Sequence, residues 1–278
     1  MPGTLFVVAT PIGNLGDLTL RAIETLKTCD RIAAEDTRRT RTLLAHLGIV
    51  RKPLDALHAH SSERDVARAT EQLVAGESIA LVTDAGTPAV SDPGTALVEA
   101  AVRAGVTVVP IPGASAVLAA LVASGLAGDG RFRFVGFLPR DGTARREAIA
   151  LVCATAETVI LFEAPTRTTD TLSDLALATP TRSACIAREL TKLHEELVRG
   201  TLDELANDTR EWRGEVALVL GAYSPESRET VDDAAIDARI DAELEAGVHA
   251  KSLAERLAAW SGRPKRDLYA RVLSRKRR

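Results

Sequence analysis

Aromatic residues are scarce in this sequence, at 3% of 278 residues, so the core has to be packed from Ala, Val, Leu and Ile. Cysteine is scarce too. Cys29, Cys153 and Cys185 are odd in number and far apart, which excludes a disulfide framework and a zinc cluster and points to a reducing compartment, the cytoplasm. No apolar run reaches the length of a membrane span. Asn14 and Asp17 interrupt the first apolar stretch, so neither membrane insertion nor a signal peptide is expected. Several signatures are also missing. No G-x-G-x-x-G opens a helix, no Gly-Lys-Ser/Thr follows a glycine loop, and there is no G-x-S-x-G elbow. His58 and His60 stand two apart with no third ligand at suitable spacing, so no metal site is expected.

What is present is an alternation of short apolar runs with helical patterns, in a chain that is 46% hydrophobic and 26% charged. The first half reads as strands at Thr4–Ala9, Arg31–Ala34, Leu54–His58, Ser78–Thr83 and Thr107–Val109. Helices fall between and after them at Leu18–Lys27, Thr37–His46, Ser62–Ala75, Gly94–Ala104 and Ala114–Ala123. Strands joined by crossovers imply an α/β sheet covered on both faces. The glycine-rich "ASGLAGDGR" then breaks the pattern. A second α/β set has strands at Phe132–Gly136, Thr158–Phe162, Ser183–Ala187, Glu195–Gly200 and Glu215–Gly221. The close connection around Arg199 and Gly214 predicts neighbouring strands there and hence a mixed sheet. After "YSPES" the chain turns acidic, then helical. Three segments are expected: an α/β domain over 1–120, a second over 121–223 and a helical end over 224–278.

The loops at the carboxyl ends of the first strands carry small and polar residues: "TPIGNLGD", "EDTRRT", "HAHSSE", "DAGTPAVSDPG" and "PIPGASA". In an open α/β sheet that rim is where small ligands bind. A plain turn is the alternative for the first loop, with Gly13 taking positive φ and Asp17 capping a helix at Leu18. The second half adds "LFEAPTRT", "ARELTKLHEE" and "RGEVAL". Glu163 and Glu189 end apolar strands there, and are either functional or paired with Arg167 and Arg188.

The net charge of −3 conceals an acidic stretch over Glu229–Glu245 and a basic one over Arg263–Arg278. "KSLAERLAAWSGRPKRDLYARVL" reads as two helices turning at Ser261–Pro264, with Leu253, Leu257 and Trp260 on one face and Leu268 and Val272 on the second helix. This is either helix-turn-helix geometry or an ordinary hairpin, and the basic second helix favours a polyanion partner, RNA.

"VATPIGNLGDLTLRA", "AAEDTRRTRTLL", "TDAGTPAVSDPG", "VVPIPGASAVLAALVASGL", "FVGFLP" and "ARELTKLHEE", in this order from Gly3 to about Gly221, resemble the 16S rRNA (cytidine-2′-O)-methyltransferases of the tetrapyrrole methylase superfamily. The departures are Thr83 where serine is usual and Thr166 where histidine is frequent. The resemblance implies two α/β domains of the class III methyltransferase type, with S-adenosylmethionine in the cleft between them. It implies methyl transfer to a ribose 2′-hydroxyl of a cytidine in 16S rRNA, within the small ribosomal subunit, by a homodimer. Carried over, Pro11, Gly13, Asn14, Asp84, Ala85, Gly86, Thr87, Gly113, Ala114 and Ser115 lie beside the cofactor, and Phe162, Glu163 and Ala217 are walls from the second domain. Candidates for a general base are Glu35, Asp36, Glu189 and Lys192, and after them His58 and His60. Arg38, Arg39, Arg41, Arg140, Arg145, Arg146, Arg263, Lys265 and Arg266 are candidates for RNA phosphate contacts. The competing readings are a methylase of a small tetrapyrrole-like substrate and a non-catalytic RNA-binding module.

Overall fold

In the computed structural model, which describes residues 2–58, 61–91, 94–223, 233–245, 248–261 and 263–276, the apolar run Thr4–Val8 forms β1 and opens a strand–helix alternation. It continues through α1 (Leu20–Thr28), β2 (Arg31–Ala34), α2 (Thr37–His46), β3 (Leu54–Ala56), α3 (Glu63–Val74), β4 (Ile79–Val82), α4 (Thr95–Arg103), β5 (Thr107–Ile111) and α5 (Ala116–Ser124). The five strands pair only in parallel, in the order β3-β2-β4-β1-β5. Both faces are covered, as the near-continuous apolar character of β4 requires. Leu26 of α1 and Leu44 of α2 pack on one face, with Val8 and Ile32. Leu73 of α3 and Leu97 of α4 pack on the other, with Leu5 and Leu81.

The second set comprises β6 (Phe132–Phe137), α6 (Gly142–Ala154), β7 (Thr158–Glu163), α7 (Thr168–Ala178), β8 (Ser183–Arg188), β9 (Glu196–Thr201), α8 (Leu202–Ala206) and β10 (Val216–Leu220). Its sheet has the order β6-β7-β10-β8-β9, with β6 and β7 parallel and the other neighbours antiparallel. The sheet is therefore mixed, but the strands holding Arg199 and flanking Gly214 are not neighbours. The hairpin is β8–β9, and α8 carries the chain away from β9 so that β10 inserts between β7 and β8. The core of this sheet gathers Leu161, Leu172, Leu175, Leu218 and Trp212. Arg182 is buried beside it at 1% exposure.

The chain divides into two compact units, Met1–Ala119 with Glu189–Glu195, and Ala120–Arg188 with Glu196–Arg278. The β8–β9 turn thus belongs with the first unit, although its strands belong to the second. The last helices, α9 (Asp233–Glu245), α10 (Ala250–Ser261) and α11 (Lys265–Lys276), close a core of their own from Ile236, Ile240, Leu253, Leu257, Leu268 and Val272, and α10 packs on α7. The expected helix pair is present, but α9 is its third partner. Trp260 is partly buried there, with the Arg239 guanidinium 4.7 Å from its ring centroid. The three cysteines are buried free thiols, each pushed up in pKa by burial. Among the described residues no helix is long and apolar enough to cross a membrane.

Candidate functional site

β1 and β4 are adjacent, yet their following helices go to opposite faces, α1 to one and α4 to the other. This makes the carboxyl ends of β1 and β4 a topological switch point, where open α/β sheets bind ligands. The loops there are tied together. Thr10 N donates to Gly86 O (2.9 Å) and Gly86 N donates to Thr10 O (3.1 Å). Thr10 Oγ1 donates to Thr83 O at 3.1 Å, and Thr87 Oγ1 donates to Ala114 O at 3.2 Å, which joins the loop after β5. Gly86 sits at φ +85°, which a side chain with a Cβ takes only under strain. At Gly113 a Cβ would lie 3.0 Å from the Ala9 Cβ, so glycine permits close apposition of two loops.

The first loop is built differently from its plain-turn reading. Asp17 does not cap the following helix; Thr19 does, its Oγ1 accepting from Ala22 N, because α1 starts two residues later. Asn14 Oδ1 accepts from Gly16 N at 2.9 Å and shapes a short turn of 3₁₀ helix over Leu15–Asp17. Gly13 does not take positive φ. It is glycine because the β8–β9 turn presses on it: a Cβ would meet Lys192 Cγ at 2.4 Å, Thr191 Oγ1 at 2.8 Å and Leu190 O at 3.0 Å. That turn holds Glu189 at φ 51° and Thr191 at φ 66°, both in the left-handed region. Such strain persists only where the surroundings enforce it. Glu189 pairs with Lys192 at 2.7 Å and Arg188 with Glu196 at 3.1 Å.

The carboxylates at the end of β2 and in the β4 loop form a network. Glu35 Oε2 accepts from Thr83 Oγ1 (2.6 Å) and from Asp84 N (3.1 Å). Asp84 Oδ1 accepts from Asp36 N at 3.1 Å, and Asp84 Oδ2 lies 3.3 Å from Arg39. Asp36 caps α2 through Arg38 N at 2.7 Å and pairs with the Arg38 guanidinium. The Arg38 hydrogen bonds hold its carboxyl down to about 2. Asp84 shifts upward instead, first through desolvation and then through the neighbouring Glu35 charge. His58 N donates to Ser61 Oγ, while His60 and, in the β4 loop, Asp92 and Pro93 lie outside the described residues.

In the second unit, strand alternation separates residues the sequence had grouped. Phe162 and Ala217 are register partners on one face of the sheet. Glu163 points to the other face, under α6 and α7, where it is 2% exposed. There it pairs with Arg167 at 2.5 Å, accepts from Thr171 Oγ1 at 2.7 Å and from Ala164 N at 2.8 Å, and lies 3.9 Å from Arg145. Glu163 is thus a structural anchor on the opposite face from Phe162, not a second wall beside it. Arg145 is likewise withdrawn from the surface. Its guanidinium donates to Thr171 and Asp174 at 2.9 Å each, which leaves it poorly placed for phosphate. Glu163→Gln is expected to lower stability by roughly 3 kcal/mol, the low end for a broken buried pair because Arg167 keeps some access to water. Cofactor affinity should stay within about twofold of wild type, and denaturant melts with calorimetry check both.

The basic C-terminal side chains also have partners. Arg263 and Arg271 pair with Asp233, Arg271 and Arg275 with Asp237, Arg275 with Asp241, and Lys265 with Glu255. The arginines hold Asp233, Asp237 and Asp241 below the usual carboxylate range. The acids recur every fourth residue along α9 and so share one face, where they pair with Arg271 and Arg275 of α11. Arg266 is exposed beside Asp267, and Arg277 and Arg278 lie outside the described residues. Among the described residues Arg41, Arg140 and Arg146 are exposed and form no ion pair, although Arg146 donates to Thr143 Oγ1.

Residues 4–206 match the model of the Tetrapyrrole (Corrin/Porphyrin) Methylases. The Ribosomal RNA small subunit methyltransferase I of Halalkalibacterium halodurans is 45% identical over 276 residues, covering 96% of this chain and 93% of that protein. The protein of the same name from Xylella fastidiosa is 47% identical over 274 residues, covering 96% and 98%. Among solved structures, a diphthine synthase aligns with a TM-score of 0.60 at 18% identity, over 79% of this chain and 90% of that one. Uroporphyrin-III-C-methyltransferase from Thermus thermophilus aligns with a TM-score of 0.56 at 21% identity, over 79% and 94%. At these identities the two structures speak to the fold alone.

Proposed function

The chain belongs to the tetrapyrrole (corrin/porphyrin) methylases, and from that premise we propose that it methylates a ribose 2′-hydroxyl of a cytidine in 16S rRNA, with S-adenosylmethionine as donor. The observation that carries the reading is the similarity to small-subunit rRNA methyltransferases along nearly the whole chain. A methylase of a small macrocycle shares the fold, but the relatives that match this full length carry the rRNA enzyme's name. The working form we propose is a cytoplasmic homodimer acting on the small subunit.

The rim suits the donor. The loops after β1, β4 and β5 contain no lysine or arginine, whereas Glu35 and Asp84 are acidic, which favours a cation over a phosphate. Gly86 and Gly113 let the β1, β4 and β5 loops close on one another, which fixes the shape of the rim. In this reading Pro11, Gly13, Asn14, Asp84–Thr87 and Gly113–Ser115 hold the cofactor, with Phe162 and Ala217 as apolar walls.

When bound, S-adenosylmethionine supplies a methyl group already activated by its sulfonium. The task of the chain is then alignment and proton removal. The paired hydrogen bonds between Thr10 and Gly86 fix the β1 and β4 loops, and Thr87 fixes the β5 loop to them. A general base works best with a pKa near the operating pH. Asp36, held down to about 2 as a helix cap, is poorly matched. Asp84, shifted upward by desolvation and then by the Glu35 charge, is the better matched of the two, with Arg39 at its Oδ2. Glu35 positions it through Asp84 N, and Glu189 and Lys192 hold the turn against Gly13.

The test is methyl transfer from labelled S-adenosylmethionine to small subunits or 16S rRNA lacking the modification, followed by mass-spectrometric mapping. Label on the 2′-oxygen of a cytidine is expected. Label on a base, or only on a tetrapyrrole, would overturn the reading.

A further inference from the structure

The chain has five phenylalanines, and four of them, Phe132, Phe134, Phe137 and Phe162, lie on the neighbouring strands β6 and β7. In a protein this poor in aromatics such a cluster is expected to be buried. Instead Phe137 is 58% exposed and Phe132 37%.

Strand periodicity alone would separate these rings. Phe134 pairs with Ile160 and Phe137 with Phe162, so three steps along β6 match two along β7. The extra residue is a β-bulge, and Gly136 at φ 68° permits it. Without the bulge Phe137 would turn toward the helix-covered face, where Val135 packs. With it, Phe137 joins Phe134 around Phe162. Phe134 meets Phe162 edge-on, with centroids 5.0 Å apart at 66°, and Phe137 lies 5.6 Å away at 58°. Packing therefore fixes the orientation of Phe137 and leaves much of the ring open to water. Arg140, three residues on from Phe137, is exposed and without an ion-pair partner among the described residues, whereas Arg133 pairs in register with Val159 and so belongs to the helix-covered side. Arg188 and Arg210, near the opposite edge of the same sheet, are both paired.

We propose that this edge of the second sheet is a stacking surface for an unpaired base of the RNA substrate, with Phe137 as the stacking ring and Arg140 as a contact to a flanking phosphate. The inference rests on the reading that the substrate is RNA. A pre-oriented ring with much of its surface open, on a strand followed by an unpaired cation, is suited to a single strand, which sheets bind by stacking and charge together.

The experiment uses the full chain with Phe137→Leu, Phe137→Trp and Arg140→Gln. Binding to small subunits or 16S rRNA is measured across a salt series, cofactor binding by calorimetry and mass by light scattering. Phe137→Leu should weaken RNA binding about tenfold with an unchanged salt slope, because stacking is lost and no phosphate contact is. Phe137→Trp should keep affinity within about twofold. Arg140→Gln should lower the slope by roughly 0.7–0.9. All three should bind the cofactor as wild type does. Unchanged RNA affinity in Phe137→Leu, or a change of oligomeric state that accounts for its loss, overturns the proposal, the latter assigning the surface to a second copy. A wild-type protein that neither binds nor methylates rRNA overturns the functional reading itself, whatever the variants do.

Discussion

The Gly86→Val variant is expected to fold and to lose S-adenosylmethionine binding by about 100-fold or more, equivalent to about 2.7 kcal/mol. Gly86 sits at φ +85°, and valine is among the residues least able to follow it there. Strain of about 1–3 kcal/mol would pull the residue toward negative φ. That movement breaks one or both hydrogen bonds to Thr10 and so unties the β1 and β4 loops at the switch point. The cores on the two faces of the sheet lie away from this loop, so the variant should melt cooperatively at a somewhat lower temperature. Calorimetry with the cofactor and a thermal melt read the two parts separately. Wild-type affinity in the folded variant would remove Asp84–Thr87 from the binding site.

Arg182→Met should cost about 3 kcal/mol of stability and leave the first unit's ligand loops as they are. Arg182 is fully buried among hydrogen-bond acceptors without a carboxylate. Its guanidinium donates to Gly221 O (2.7 Å), Val152 O (2.9 Å) and Glu157 O (2.9 Å), and the Tyr223 ring lies 5.6 Å away. It fastens the end of β10, the end of α6 and the start of β7 at one point. Methionine fills the volume but takes the guanidinium donor from Gly221 O and Glu157 O, at about 1–3 kcal/mol each, while Val152 O keeps the Thr155 N–H. Relief of a desolvated charge offsets part of that; burial already lowers the pKa of Arg182. A midpoint drop of roughly 6–12 °C is expected in a chain of this size. An unchanged midpoint would mean that water reaches these carbonyls.

The loops of the switch point were readable because their chemistry is local. Glycine, proline and small polar residues at strand ends mark close backbone approach whatever the rest of the chain does. Other features were not local. Glu163 and Phe162 are adjacent in sequence, yet they serve opposite faces, and only the register with β10 and the cover of α6 and α7 tell which face is which. Parity along "TVILFE" would have separated the two side chains, though not said where each went. The C-terminal arginines read as a basic surface because sequence distance hid Asp233, Asp237 and Asp241 some thirty residues earlier. The bulge at Gly136 was likewise silent, since one glycine in an apolar run fits many conformations.

By itself the sequence determined the alternation of strands and helices, the two α/β sets, the glycine-bearing rim and the family. Each of these rests on patterns within a few residues, or on whole strings shared with relatives. Tertiary structure alone decided the strand order, with β10 between β7 and β8, and the seating of the β8–β9 turn against Gly13. It also decided which charges are already paired. Those outcomes depend on contacts between segments far apart in the chain, where burial and ion pairing are settled by what arrives opposite rather than by what lies next door.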